Sequence, residues 1–180
     1  MGHRREILEL LDAYHPSLEE EIAKERMVAF IKKYPDCFER SLEIGHVTAS
    51  CWLIDKEGKK ALLTHHAKLD MYVQLGGHCD GDSDVLGVAI KEAQEESGVM
   101  GIAPVNPQIF DIDIHEFPQR GDLKAHLHYD IRFLLQIVTG EIVQKNHESK
   151  ELLWVDKKSL KLPTENHTVL RMFQKWNLLN

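Results

Sequence analysis

One stretch limits the fold more than any other, residues 76–98, which read GGHCDGDSDVLGVAIKEAQEESG. Its two opening glycines allow a positive φ or a close approach of backbone to another group. Asp82, Ser83 and Asp84 are N-cap candidates, and Gly98 stands where a left-handed C-terminal cap is expected. The spacing predicts a helix over 84–97, with Leu86, Ala89, Ile90 and Ala93 on an apolar face. Glu92, Glu95 and Glu96 fall together on another face, spaced i, i+3 and i+4. Three carboxylates so close repel one another unless a cation sits among them. A hard, oxygen-seeking ion such as Mg²⁺ suits them, because it takes a few carboxylates and keeps its other positions for water and phosphate. The competing reading is a solvated acidic surface. The glycine entry and the bounded ends of the helix favour the cation.

Around this segment the apolar period changes twice. Residues 3–35 read as a helical hairpin, broken at His15-Pro16-Ser17. Ile7, Leu8, Leu10 and Leu11 form the first stripe, and Ile22, Met27, Phe30 and Ile31 the second. Ser17 with Glu20 three residues on supplies a capping box. From His46 the pattern turns to strands, at 46–54 and 61–66 around a turn at 56–59, with a short extended piece at 72–75. Long strands follow at 108–116 and 125–138, a short one at 152–155, and a terminal helix at 170–178 with Met172, Phe173 and Trp176 inward. Mixed strands flanked by helices predict an α/β/α layered domain. Trp52 and Trp154 are expected as core or pocket walls.

Composition narrows the function. A formal charge of −7 over 180 residues gives no basic footprint for a nucleic-acid duplex. It leaves room for a small anionic substrate whose charge a cation neutralises. No apolar run reaches the ~20 residues of a membrane span, and residues 1–6 open an amphipathic pattern rather than a signal core. The expected compartment is the cytoplasm. Cys37, Cys51 and Cys79 are too scattered for a disulfide framework and are expected reduced. No activating base is evident beside Cys79, which reads as a spectator thiol.

A second constellation lies on the two long strands. His126, His128, Asp130 and Arg132 alternate with Leu127, Tyr129, Ile131 and Phe133, so the polar set shares one face. Asp111, Asp113 and His115 repeat the pattern on the preceding strand, and Arg120 and Lys124 occupy the connecting loop. Three readings compete: a substrate pocket, a hydrogen-bonded structural network, and a second metal site. The first is taken as the expectation, with His115, Arg120, His126, His128, Asp130 and Arg132 as substrate-binding residues.

The glycine-bounded helix resembles the Nudix box, GX5EX7REUXEEXGU with U a bulky aliphatic residue. Gly77 matches the first glycine, Glu92, Glu95 and Glu96 the three later glutamates, Gly98 the last glycine and Val99 the final U. Ala93 takes the middle U position with a smaller side chain. Lys91 stands in place of the arginine, keeping the charge without the bidentate fork, and Ser83 replaces the first glutamate. The resemblance spans roughly residues 43–160 and implies a Nudix-type α/β/α sandwich with a mixed sheet over 41–180. Residues 1–40 would then be a helical extension packed on that domain.

The resemblance further implies a MutT-like hydrolase that cuts a pyrophosphate linkage with Mg²⁺, or Mn²⁺ in its place. The substrate would be a small-molecule diphosphate such as a nucleoside diphosphate derivative, with no duplex and no membrane as partner and a homodimer left open. By the same resemblance Gly76 (through its carbonyl), Glu92, Glu95 and Glu96 hold the metal. Lys91 orients a glutamate, and Glu148 is favoured over Glu151 as general base; catalysis would rest on Glu95, Glu96, Lys91 and Glu148. The alternatives are an isoprenoid-diphosphate isomerase on the same fold, which would call on Cys79 and the histidines, and a non-catalytic nucleotide-binding module.

Overall fold

A computed structural model describes residues 4–119, 121, 124–140, 143–144, 146–147 and 149–179. In chain order the elements are α1 (Arg5–Ala13), α2 (Glu21–Lys33), β1 (Gly45–Ile54), β2 (Lys60–His66), β3 (Met71–Val73), β4 (Leu75–His78), α3 (Val85–Ser97), β5 (Gly101–Phe117), β6 (His126–Thr139), β7 (Ser149–Asp156) and α4 (His167–Leu178). The strands form a mixed sheet ordered β3-β2-β1-β6-β5, with β4 paired to β1 and β7 to β2. The α/β architecture is the one expected, with the two N-terminal helices present.

Contacts gather into two compact units. The first comprises Met1–Ala49, Gly77–Ala89 and Pro107–Phe133, the second Ser50–Gly76, Ile90–Asn106 and Leu134–Asn180. In the first unit Ile7, Leu11, Met27 and Ile31 are fully buried, and the Phe30 ring stacks on Tyr129 with centroids 3.8 Å apart. Arg4 donates to the carbonyls of Ile31 and Lys32 at 2.7 and 3.0 Å, placing a cation at the negative end of α2.

Half of the capping box forms, ahead of the regular helix, since the Glu20 N–H bonds the Ser17 carbonyl rather than the hydroxyl. Glu20 Oε2 accepts from the Ser17 N–H at 2.9 Å and from Ser17 Oγ at 2.6 Å, while α2 begins at Glu21. The other oxygen of Glu20 accepts from Tyr14 Oη at 2.5 Å and from the Ile112 N–H on β5 at 3.2 Å. Glu20 is only 1% exposed and lies on the stripe of Met27, Phe30 and Ile31. Ile22, expected on that stripe, is 70% exposed; helical periodicity puts Glu20, not Ile22, one face below Met27.

In the second unit β2 runs antiparallel to β3 and β7, with Leu62 opposite Trp154 and Thr64 opposite both Val73 and Leu152. Trp52, Phe173 and Trp176 cluster with ring centroids 6.0–6.4 Å apart. Asn166 caps α4, its side chain accepting from Thr168 and Val169 N–H at 3.0 and 3.2 Å. β5 is far longer than the 108–116 expected. Pro104 and Pro107 argue against a strand from sequence, yet β5 ends the strand order, where a residue lacking N–H is tolerated. β7 likewise starts earlier than expected and carries Glu151 on a strand rather than a loop.

Candidate functional site

Helix α3 starts as its sequence directs. Asp84 accepts from the Gly87 N–H at 2.9 Å, the N-cap bond, and Asp82 accepts from the Asp84 N–H at 2.9 Å. It ends at Gly98, whose φ of +73° supplies the left-handed cap and whose N–H bonds the Gln94 carbonyl at 2.8 Å.

Which face α3 buries is a correction. Val85, Val88, Ala89 and Ala93 are buried, whereas Leu86 and Ile90 are half-exposed. The buried stripe therefore continues along i+3 and i+4 steps through Glu92, which is half-buried, to Glu96, which is 3% exposed. The acidic and apolar faces overlap. Glu95 lies at the margin, its side chain 56% exposed.

Burial of the Glu96 carboxylate is tied to the glycine entry. Glu96 Oε2 accepts from the Gly76 N–H at 2.9 Å. Gly76 has a φ of +154°, at the limit of the region that favours glycine. Lys91 Nζ lies 3.7 Å from Glu95 Oε1, a loose and exposed i,i+4 pair worth only a few tenths of a kcal/mol in stability. The donor set thus runs from a buried, anchored carboxylate through a half-buried one to an exposed one. These oxygens fit a hard divalent cation that keeps some of its own water.

The polar strands divide into two parts, both within the first unit. Arg132 is 1% exposed and Asp130 2%. Arg132 Nε donates to Asp130 at 2.7 Å, Nη1 to Asp111 at 2.9 Å and Nη2 to Asp113 at 3.3 Å, while Thr48 Oγ1 donates to Asp130 at 2.9 Å. Burial pulls the Arg132 pKa down, but Asp130, Asp111 and Asp113 outweigh it and leave the guanidinium above its ordinary value. The hydrogen-bonded network, one of the three readings of this face, forms among Thr48, Asp111, Asp113, Asp130 and Arg132.

The second part is a nest of imidazoles. His126 and His128 are buried, and their Nε2 atoms lie 3.1 Å apart. His115 is exposed and bonded to Asp113 Oδ2 at 3.1 Å. His46 on β1 and His78 on β4 join them, with centroids 5.0 Å apart and His128 4.9 and 5.1 Å away. Burial, then the neighbouring His78, lowers the His46 pKa to about 4; burial, then His115, lowers His128 to about 2. Neither His46 nor His78 was singled out from sequence. Each stands alone in its segment, and only strand pairing brings it to the histidine strand.

Arg120 and Glu148 lie outside the described residues. Glu151 is exposed and accepts from Tyr72 Oη at 2.7 Å. Tyr72 also lines an open cleft of about 510 Å³ with His65, Asp70, Met71 and residues 163–166, none of them expected as site residues. Cys79 is buried, and burial, reinforced by Asp130 and Asp82, raises its pKa. None of the three cysteines forms a disulfide.

With this geometry in view, the NUDIX domain family model matches residues 45–176. The chain belongs to the Nudix family. The enzyme class that goes with this membership is the Nudix pyrophosphohydrolase. Solved structures share the Nudix fold. A Nudix-family hydrolase from Clostridium perfringens is 22% identical, with 75% of this chain and 98% of that one covered at a TM-score of 0.52. An Ap4A hydrolase from C. elegans is 17% identical, with 72% and 93% covered and a TM-score of 0.56. The E. coli dihydroneopterin triphosphate pyrophosphohydrolase is 11% identical, with 72% and 92% covered and a TM-score of 0.54. Among curated protein sequences none matches. The Nudix match begins at the first strand, so α1 and α2 precede it. No helix among the described residues is long and apolar enough to cross a membrane.

Proposed function

We propose that this Nudix chain hydrolyses the phosphoanhydride of a nucleoside diphosphate derivative or a related organic diphosphate, with Mg²⁺ (or Mn²⁺) as cofactor. The observation that carries the reading is Glu96, a buried carboxylate fixed by the Gly76 N–H one helical turn from Glu92. Burying a carboxylate carries a desolvation cost, and a cation held by Glu92, Glu96, Glu95 and the Gly76 carbonyl would offset it. When bound, such an ion neutralises diphosphate charge and makes water a better nucleophile near neutral pH.

The chain's own residues then have separable tasks. Gly76 and the burial of α3 hold Glu96 in one orientation. Lys91 biases Glu95, the carboxylate it already approaches. Glu148 takes the proton from the attacking water. The water oxygen bonds to phosphorus, the bridging P–O bond breaks, and the bridging oxygen leaves with the other phosphate. Positioning and charge account for most of the rate, as expected for phosphoryl transfer. The Ap4A and dihydroneopterin triphosphate hydrolases of the same fold act on substrates that share this linkage, which supports the substrate class.

The test is incubation of the chain and Mg²⁺ with nucleotide sugars, dinucleoside polyphosphates, nucleoside triphosphates and isopentenyl diphosphate. Phosphate-bearing fragments that appear only with the ion support the proposal. An isomerised allylic product, or tight binding without turnover, overturns it.

A further inference from the structure

We propose that His46, His78 and His128 form a second cation site in this chain, built for a divalent transition ion of the Zn²⁺ type and sharing no ligand with the glutamates of α3. Each of the three offers one ring nitrogen, and these nitrogens all lie within 4.8 Å of one another. They come from β4 and from the beginnings of β1 and β6, so backbone pairing rather than flexible loop sets their positions.

His46 is the observation that demands an explanation. It is 2% exposed, and neither its Nδ1 nor its Nε2 meets a partner at hydrogen-bond geometry, the Leu42 backbone being only a weak contact that raises its pKa slightly against the larger effect of burial. A neutral imidazole carries one N–H donor and one acceptor, and leaving either buried and unmatched costs about 1–3 kcal/mol. What surrounds His46 is other imidazoles, from His78, His126 and His128. A water among three acceptor nitrogens has only two protons to give. A cation takes all three lone pairs. Three imidazoles are the donor set of zinc sites with an open fourth position, and they are poor ligands for Mg²⁺, which prefers oxygen.

The tautomers agree. His126 Nδ1 lies 2.8 Å from the Lys124 carbonyl, which can only accept, so Nδ1 carries the proton. In a neutral His126 the Nε2 is then an acceptor, and the partner at 3.1 Å, His128 Nε2, must donate. That leaves the lone pair of His128 on Nδ1. The chain from His128 through His126 to a backbone carbonyl is the outer support that metal-bound histidines characteristically have. His78 is half-exposed and gives the ion a way in.

The test uses the full, untagged chain, stripped with chelator and held in excess Mg²⁺ to occupy the carboxylates. Co²⁺ is titrated and followed by its visible absorption, and Zn²⁺ by calorimetry, in the parent chain and in Glu96→Gln, His46→Gln and His78→Gln. The expected result is one equivalent bound in the parent and in Glu96→Gln, and at least tenfold weaker binding in both histidine variants. Should His46→Gln not fold, ¹⁵N imidazole spectra of the parent decide. Zn²⁺ should shift the ring nitrogens of His46, His78 and His128. Absence of Co²⁺ absorption and of ring-nitrogen shifts overturns the proposal, as does binding abolished by Glu96→Gln and untouched by the histidine changes. Because the Glu96 variant is scored for binding as well as turnover, failure of this site is distinguishable from failure of the hydrolase reading.

Discussion

Glu20 offers the most quantitative handle on how the N-terminal helices are held. Its carboxylate accepts from Tyr14 Oη, the Ser17 N–H and Oγ, and the Ile112 N–H. Glu20→Ala removes all four acceptances at once. The Ser17 groups are only part-buried and can turn to water, so their loss is small. The Tyr14 hydroxyl and the Ile112 N–H make their bonds to Glu20 in the buried interior, away from water. Each orphaned donor costs about 1–3 kcal/mol, so the expected loss for the two is roughly 2–6 kcal/mol. For a chain of this size each kcal/mol lowers Tm by about 2–4 °C, which predicts a fall on the order of 10 °C. Glu20→Gln keeps one oxygen but turns an NH₂ toward donors, and should fall about midway. Urea unfolding followed by far-UV circular dichroism measures both. A loss below about 1 kcal/mol for Glu20→Ala would refute the claim that this carboxylate joins the leader to β5.

Two further predictions follow from the buried polar groups. Arg132→Met strands Asp111, Asp113 and Asp130 without their guanidinium and should cost about 3–5 kcal/mol in the same assay; a neutral result would mean the network is not formed in solution. In metal-free protein, the depressed pKa values of His46 and His128 make the unfolded chain the better proton acceptor below its ordinary histidine pKa of about 6.5. Their contribution is thus complete above that pH and falls as pH drops toward about 4 for His46 and about 2 for His128. Unfolding free energy should be roughly 2 kcal/mol or more lower at pH 5 than at pH 7.5, and a flat profile would contradict the burial described.

Local chemistry made much of this molecule readable from sequence. The Asp84 cap, the Gly98 terminator and the spacing of Glu92, Glu95 and Glu96 are short-range features, and short-range geometry enforces them. The strands at 46–54 and 61–66 and the helical hairpin were legible for the same reason. What escaped was set by distant partners. The burial of Glu96 depends on a backbone N–H at Gly76, and the overlap of acidic and apolar faces on α3 follows from it. Ile22 reads as core until a glutamate takes the inward position. His46 and His78 acquire meaning only when β1, β4 and β6 bring them together. Asp130 and Arg132 show the converse, since alternation locates their shared face but does not say whether that face meets solvent or Asp111 and Asp113.

The most direct measurement of the hydrolase reading is the Mg²⁺ dependence of diphosphate turnover in the parent chain and in Glu96→Gln. The amide oxygen of glutamine can still accept from the Gly76 N–H, so the fold is preserved and only the charge is removed. The account predicts unchanged circular dichroism with kcat lowered by ~10²-fold or more, the scale of metal-assisted charge stabilisation. Equal turnover in the two proteins, or turnover in the parent that persists with all divalent ions chelated, would contradict it.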